Sequence, residues 1–111
     1  FFTVYGPWGR PDMAPLIFAH SIKEGKPIKL YESGTLVRDF TYIDDIINGI
    51  KSVIDANMEY CPHRHHIYNL GSSSPVTVAE FLRVLENVME KDAVTYNVSK
   101  PECEPHIHMQ I

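Results

Sequence analysis

Val37-Arg38-Asp39-Phe40-Thr41-Tyr42-Ile43-Asp44-Asp45 is the stretch from which the fold is read. Leu36 to Phe40 reads as a strand and the residues after it open a helix. Thr41 is the predicted cap of that helix. Ile43, Ile46, Ile47, Ile50, Val53 and Ile54 then repeat at the three-four spacing of a single buried stripe. Asp44 and Asp45 fall in the first helical turn, where the helix dipole favours carboxylates, and that placement accounts for them without an acid/base role.

Working outward, Ile28-Lys29-Leu30-Tyr31 alternates like a half-buried strand, and Glu32-Ser33-Gly34-Thr35 turns it into the strand that carries Arg38. A helix is predicted over 13–24. Asp12 is its N-cap, Pro15 suits its first turn, Leu16, Ile17, Ala19 and Ile22 share a face, and Gly25 stops it. Phe1 to Tyr5 reads as an opening strand closed by Gly6-Pro7, and the loop that follows carries Arg10 at its tip. Trp8 in that loop either touches ligand or pins the turn against the core. Downstream, His66 to Leu70 is predicted as a short strand. Thr77 with Glu80 forms a capping box ahead of Val78, Phe81, Leu82, Leu85, Val88 and Met89 on one helical face. Tyr42, Ile46 and Phe81 are expected to pack in the core. Val94 to Val98 reads as a last strand, and 101–111 as an irregular tail. The expected class is α/β, about three helices with short strands and no repeat or second domain.

Composition narrows what such a chain does. Its 111 residues are 44% hydrophobic, with 8 Pro, 6 Gly and 2 Cys, which excludes collagen, disulfide scaffolds and disorder. Ten Lys and Arg against 14 Asp and Glu give a formal charge of −4, so no general nucleic-acid binding is expected, and an anionic ligand needs local basic groups. No window approaches the roughly 18 apolar residues of a membrane span. Cys61 and Cys103 lie far apart, as in a reducing compartment, so a cytoplasmic location is expected, leaving open an anchor upstream of residue 1. The chain opens without Met and inside a strand, which predicts a fragment of something longer.

Two stretches carry a resemblance: Phe1-Phe2-Thr3-Val4-Tyr5-Gly6-Pro7-Trp8-Gly9-Arg10-Pro11-Asp12-Met13-Ala14, and Val37 to Asp45. They resemble the UDP-glucuronate 4-epimerases, within the NAD-dependent epimerase/dehydratase (extended short-chain dehydrogenase/reductase) family. Glu24-Gly25-Lys26-Pro27-Ile28 and Tyr68-Asn69-Leu70-Gly71 follow in the family's order, so the likeness runs from residue 1 to about residue 100. The family's dinucleotide turn, G-x-G-x-x-G, is not made by any of the six glycines, and its Y-x-x-x-K pair precedes the segment matching residue 1. The resemblance therefore implies that 1–111 is the C-terminal, substrate-binding region, with the N-terminal Rossmann domain absent and 1–5 a strand of its sheet. No catalytic residue is expected in this chain, which alone is expected to be inactive. NAD would be held by the parent enzyme, a homodimer by family likeness.

The implied substrate is a UDP-sugar, UDP-glucuronate, converted to UDP-galacturonate through a 4-keto intermediate. Arg38 matches the family's phosphate arginine, and its planar fork suits diphosphate oxygens. Lys29 and Tyr31 lie where the family runs a strand beside the uracil. Thr3 and Arg10 match the contacts to the substrate carboxylate. A keto group at C4 makes a β-keto acid, and holding the carboxylate opposes loss of CO2. Other UDP-sugar epimerases, including a UDP-N-acetylhexosamine enzyme, a sugar-nucleotide dehydratase, and a non-catalytic nucleotide-sugar-binding fragment remain as alternatives.

Three further features invite a functional reading. Tyr96-Asn97-Val98-Ser99-Lys100 spells Y-x-x-x-K but is strand-like, with Pro101 directly after it, and is read as coincidence. Cys61, His63, His65 and His66, with Cys103, His106 and His108, offer soft and borderline ligands, but C-x-H-x-H-H matches no standard zinc spacing and no metal is expected. Pro101-Glu102-Cys103-Glu104 replaces the Pro-Gly-Asp-Val-like turn that the resemblance would lead one to expect.

Overall fold

A computed structural model describes residues 1, 3–56, 65–99 and 107–108. β1 (Thr3–Tyr5) leads through a loop to α1 (Ala14–Glu24), followed by β2 (Ile28–Tyr31) and a short 3-10 turn (Glu32–Gly34). β3 (Val37–Arg38) and β4 (Phe40–Tyr42) run into α2 (Ile43–Asp55). β5 (Val76–Thr77), α3 (Val78–Met89), β6 (Thr95–Val98) and β7 (Ile107–His108) complete the order. Three small sheets result. β1 pairs with β4 in parallel, with Thr3 opposite Phe40. β2 pairs with β6 in parallel, with Lys29 opposite Tyr96. β3 lies between antiparallel β5 and parallel β7.

The core sits where α1 and α3 cover β2. Phe18, Ile22, Ile28, Leu30 and Leu82 are buried together, and Ala14, Val78, Phe81, Leu85 and Met89 pack around them. In β2 strict alternation buries Ile28 and Leu30 and sends Lys29 and Tyr31 to the opposite face. α1 ends as the sequence implies: Gly25, at φ 69°, donates to Ile22 C=O while Lys26 donates to Ser21 C=O. The α3 capping box is complete, with Glu80 N–H donating to Thr77 Oγ1 at 3.1 Å and Thr77 N–H donating to Glu80 at 2.8 Å. Gly34, at φ 79°, is buried against α3, and a Cβ there would lie 3.0 Å from Ala79 Cβ.

Several expectations are corrected. The buried stripe of α1 runs through Phe18 and Ile22, four residues apart, while Leu16 and Ile17 stay exposed. Asp12 does not cap α1. Met13, whose side chain has no oxygen to offer, holds the N-cap position, and Asp12, one residue upstream, pairs with Arg10 instead. Thr41 does not cap α2 either: it is buried in β4, where its hydroxyl accepts from Ser72 N–H at 3.1 Å. The strand expected over 36–40 breaks at Asp39, and β2 joins β6 rather than its sequence neighbour. Ile46 is the buried residue of the α2 stripe, whereas Ile47 and Ile54 are exposed. His66 to Leu70 joins no ladder among the described residues, and Ile67 and Tyr68 are exposed there. Trp8, at φ 63°, is fully exposed and pins nothing. Tyr42 is partly exposed, with its ring 5.5 Å from that of Tyr5.

Candidate functional site

Parallel pairing and strand alternation bring distant side chains to one cleft. Thr3 on β1, Lys29 and Tyr31 on β2, and Arg38 on β3 line a cavity of about 440 Å³, together with Asp12, Leu36 and Phe40. That volume falls within the roughly 300–1,000 Å³ of small-molecule sites. Lys29 and Arg38 give this net-acidic chain the local positive charge that an anionic ligand needs. Arg38 is half-buried, and its Nη1 donates to Val37 C=O at 2.8 Å. Lys29 Nζ lies 4.9 Å from the Tyr31 ring centroid, and hydrogen bonding to Tyr31 raises the ammonium above the ordinary lysine value.

Of the five residues singled out from sequence, Arg10 stands apart. It lines a second pocket, of about 320 Å³, with Val4, Trp8 and Met13. Arg10 Nε donates to Asp12 Oδ1 at 3.0 Å, and Nη2 closes the fork on Oδ2. This hydrogen bonding raises the Arg10 pKa and holds the Asp12 carboxyl below its usual value. Because Asp12 also lines the main cleft, the pair connects the two pockets. Asp12 was missed as a site residue because a carboxylate just before a helix satisfies the N-cap pattern. The signal that could have found it is the Arg-x-Asp spacing at 10 and 12. Phe40 was missed for a similar reason, since a large apolar residue in a strand reads as core.

Remaining candidates lie elsewhere. Tyr96 is on strand β6, so the helical spacing that a Tyr–Lys pair needs is not present; Lys100 lies outside the described residues. Cys61, His63, Cys103 and His106 are also outside them, as is the 101–104 turn. His65 and His66 are exposed, and among the described residues no group of three potential ligands could hold a metal ion. Nor is any helix of the described residues long and apolar enough to cross a membrane.

A profile of the NAD dependent epimerase/dehydratase family matches residues 1–71. The chain belongs to that family. UDP-glucuronate 4-epimerase 4 of Arabidopsis thaliana is 42% identical over 112 residues, covering 91% of this chain and 26% of the relative. Protein CapI of Staphylococcus aureus is 40% identical over 108 residues, covering 84% of this chain and 32% of its own length. Among solved structures, UDP-glucuronic acid 4-epimerase from Bacillus cereus, in complex with UDP-glucuronic acid and NAD, superposes with a TM-score of 0.83 at 31% identity, over 96% of this chain and 33% of that one. The chain thus spans about a quarter to a third of these relatives. Mixed α/β architecture and membership of an NAD-dependent epimerase/dehydratase family agree with the sequence reading.

Among the described residues no glycine-rich turn of the dinucleotide-binding kind opens a helix. The turn after β1 is Gly6-Pro7-Trp8-Gly9, closed by Gly9 N–H donating to Gly6 C=O at 3.2 Å, and it reaches α1 through Met13-Ala14-Pro15. That differs from a G-x-G-x-x-G turn opening directly into a helix N-terminus.

Proposed function

We propose that this chain is the nucleotide-sugar-binding portion of an NAD-dependent UDP-glucuronate 4-epimerase. The observation that carries the reading is the convergence of Thr3, Lys29, Tyr31 and Arg38 on one cleft of about 440 Å³. In this reading the Arg38 guanidinium holds the diphosphate through charge-assisted hydrogen bonds. Lys29 and Tyr31 border the uracil end, where the β2 backbone supplies further donors and acceptors. Thr3 takes the sugar end, and Arg10 receives the substrate carboxylate after exchanging it for that of Asp12. This exchange keeps a carboxylate on Arg10 in both states, so no bare cation is left on the loop. The relatives' names and the bound UDP-glucuronic acid of the Bacillus cereus enzyme support the same substrate class.

Calorimetric titration of the chain with UDP and UDP-glucuronate tests the reading. Arg38→Ala should weaken both by about 1.5–3 kcal/mol, the range for hydrogen bonds to charged groups. Unchanged UDP affinity in a folded variant refutes the diphosphate role. A second reading is nucleotide-sugar binding without turnover. Sequence upstream of Phe1 discriminates the two, since a G-x-G-x-x-G and a Y-x-x-x-K there belong to the epimerase alone.

A further inference from the structure

Residues 38–41 are sorted by alternation. Arg38 and Phe40 line the cleft, while Asp39 and Thr41 turn to the 72–73 segment. Asp39 is 1% exposed, the most deeply buried carboxylate among the described residues. One of its oxygens accepts from Ser72 Oγ and the other from Ser73 N–H at 3.1 Å. Thr41 Oγ1 adds the Ser72 N–H bond at 3.1 Å. Ser73 sits at φ 54°, a conformation that a non-glycine residue keeps only where its surroundings hold it. The chain also changes sheets at Asp39. Val37 and Arg38 pair with Thr77 and Val76, whereas Phe40 to Tyr42 pair with Thr3 to Tyr5.

We propose that Asp39 is a positioning residue for nucleotide-sugar binding: clamped to Ser72 and Ser73, it fixes the crossing from β3 to β4. The crossing sets how far Arg38, at the diphosphate end, stands from Thr3, at the sugar end. A buried carboxylate with both oxygens engaged resists displacement, because leaving it without donors is costly. Register alone fixes Thr3 against Phe40, so the remaining freedom between the two anchors lies in the backbone at Asp39. This inference rests on the proposed binding role of the cleft.

The test is UDP titration calorimetry on the 111-residue chain, comparing wild type with Asp39→Asn, Ser72→Ala, Arg38→Ala and the Arg38→Ala/Asp39→Asn double variant. Far-UV circular dichroism establishes that each is folded. Asp39→Asn should bind UDP about tenfold more weakly and Ser72→Ala about threefold. In the Arg38→Ala background Asp39→Asn should add less than about twofold, since the anchor it positions is gone, whereas a general loss of structure acts equally in both backgrounds. If Asp39→Asn does not fold, the same comparison is made with Ser72→Ala. Wild-type affinity in the clamp variants, or an equal loss with and without Arg38, overturns the positioning role while leaving the proposed function intact. A wild-type chain that does not bind UDP overturns both.

Discussion

Phe40 forms one wall of the cleft and stacks on Phe81 of α3, with ring centroids 4.1 Å apart and planes 17° from parallel. Tyr5 approaches the same Phe81 ring edge-on at 6.3 Å. Replacing Phe40 with Leu keeps an apolar side chain but removes the ring contact, about 0.5–1.5 kcal/mol, and leaves about one methylene of volume unfilled, about 0.8 kcal/mol. The expected cost is therefore about 1–2.5 kcal/mol, a large share of the roughly 5–15 kcal/mol by which domains are stable. At about 4 °C per kcal/mol for a domain of this size, the unfolding midpoint should fall by about 4–10 °C. Phe81→Leu should cost less, because that ring is only partly buried. The double variant should lose about 0.5–1.5 kcal/mol less than the sum of the two single losses, which is the coupling of a stacked pair. Thermal unfolding, for the midpoint, and urea unfolding, for the free energies, should be followed by far-UV circular dichroism, because the single tryptophan, Trp8, is already fully exposed and reports little on folding. Additive losses, within about 0.3 kcal/mol, would refute the stacking argument and leave Phe40 as simple apolar filling.

Two other outcomes test separate parts of the reading. The Glu80 carboxyl is held below its ordinary value of 4.5, chiefly by the hydrogen bond from Thr77 N–H, so its stabilising effect is complete above that value and is lost as pH falls through the lowered one. Any lead in thermal midpoint of wild type over Glu80→Gln should shrink between about pH 6 and about pH 3; a constant difference would show that ionised Glu80 contributes nothing to the cap. Arg10→Ala should lower affinity for UDP-glucuronate relative to UDP-glucose while leaving UDP binding nearly unchanged, as measured by competition calorimetry. Equal losses for the two sugars would remove Arg10 from the carboxylate role.

Local pattern in the sequence determined the extents of the three helices, the β2 strand, the Gly25 stop and the Thr77–Glu80 cap, because each depends on residues close in sequence, although the buried face of α1 was Phe18 and Ile22 rather than the one its periodicity implied. The two motif stretches likewise determined the family. Pairing partners lay beyond local reading, since strand register is chosen by contacts between residues far apart in sequence: Ile28 to Tyr31 lies against Thr95 to Val98, not against the strand that follows it. Competition for polar partners escaped it as well. Asp12 and Thr41 both satisfy N-cap patterns, yet Asp12 meets the Arg10 guanidinium and Thr41 meets the Ser72 amide. The carboxylate joins a charge-assisted pair in the first case, and burial in a strand turns the hydroxyl from the helix in the second. Tertiary structure also divided the five candidate residues, gathering Thr3, Lys29, Tyr31 and Arg38 on one cleft and placing Arg10 at a second pocket, paired with Asp12. Residue type and spacing name groups able to meet an anionic ligand, but only tertiary structure lines one cleft with them: the parallel pairing of β1 with β4 and the turn of the chain at Asp39 relate Thr3 to Arg38, and strand alternation in β2 adds Lys29 and Tyr31.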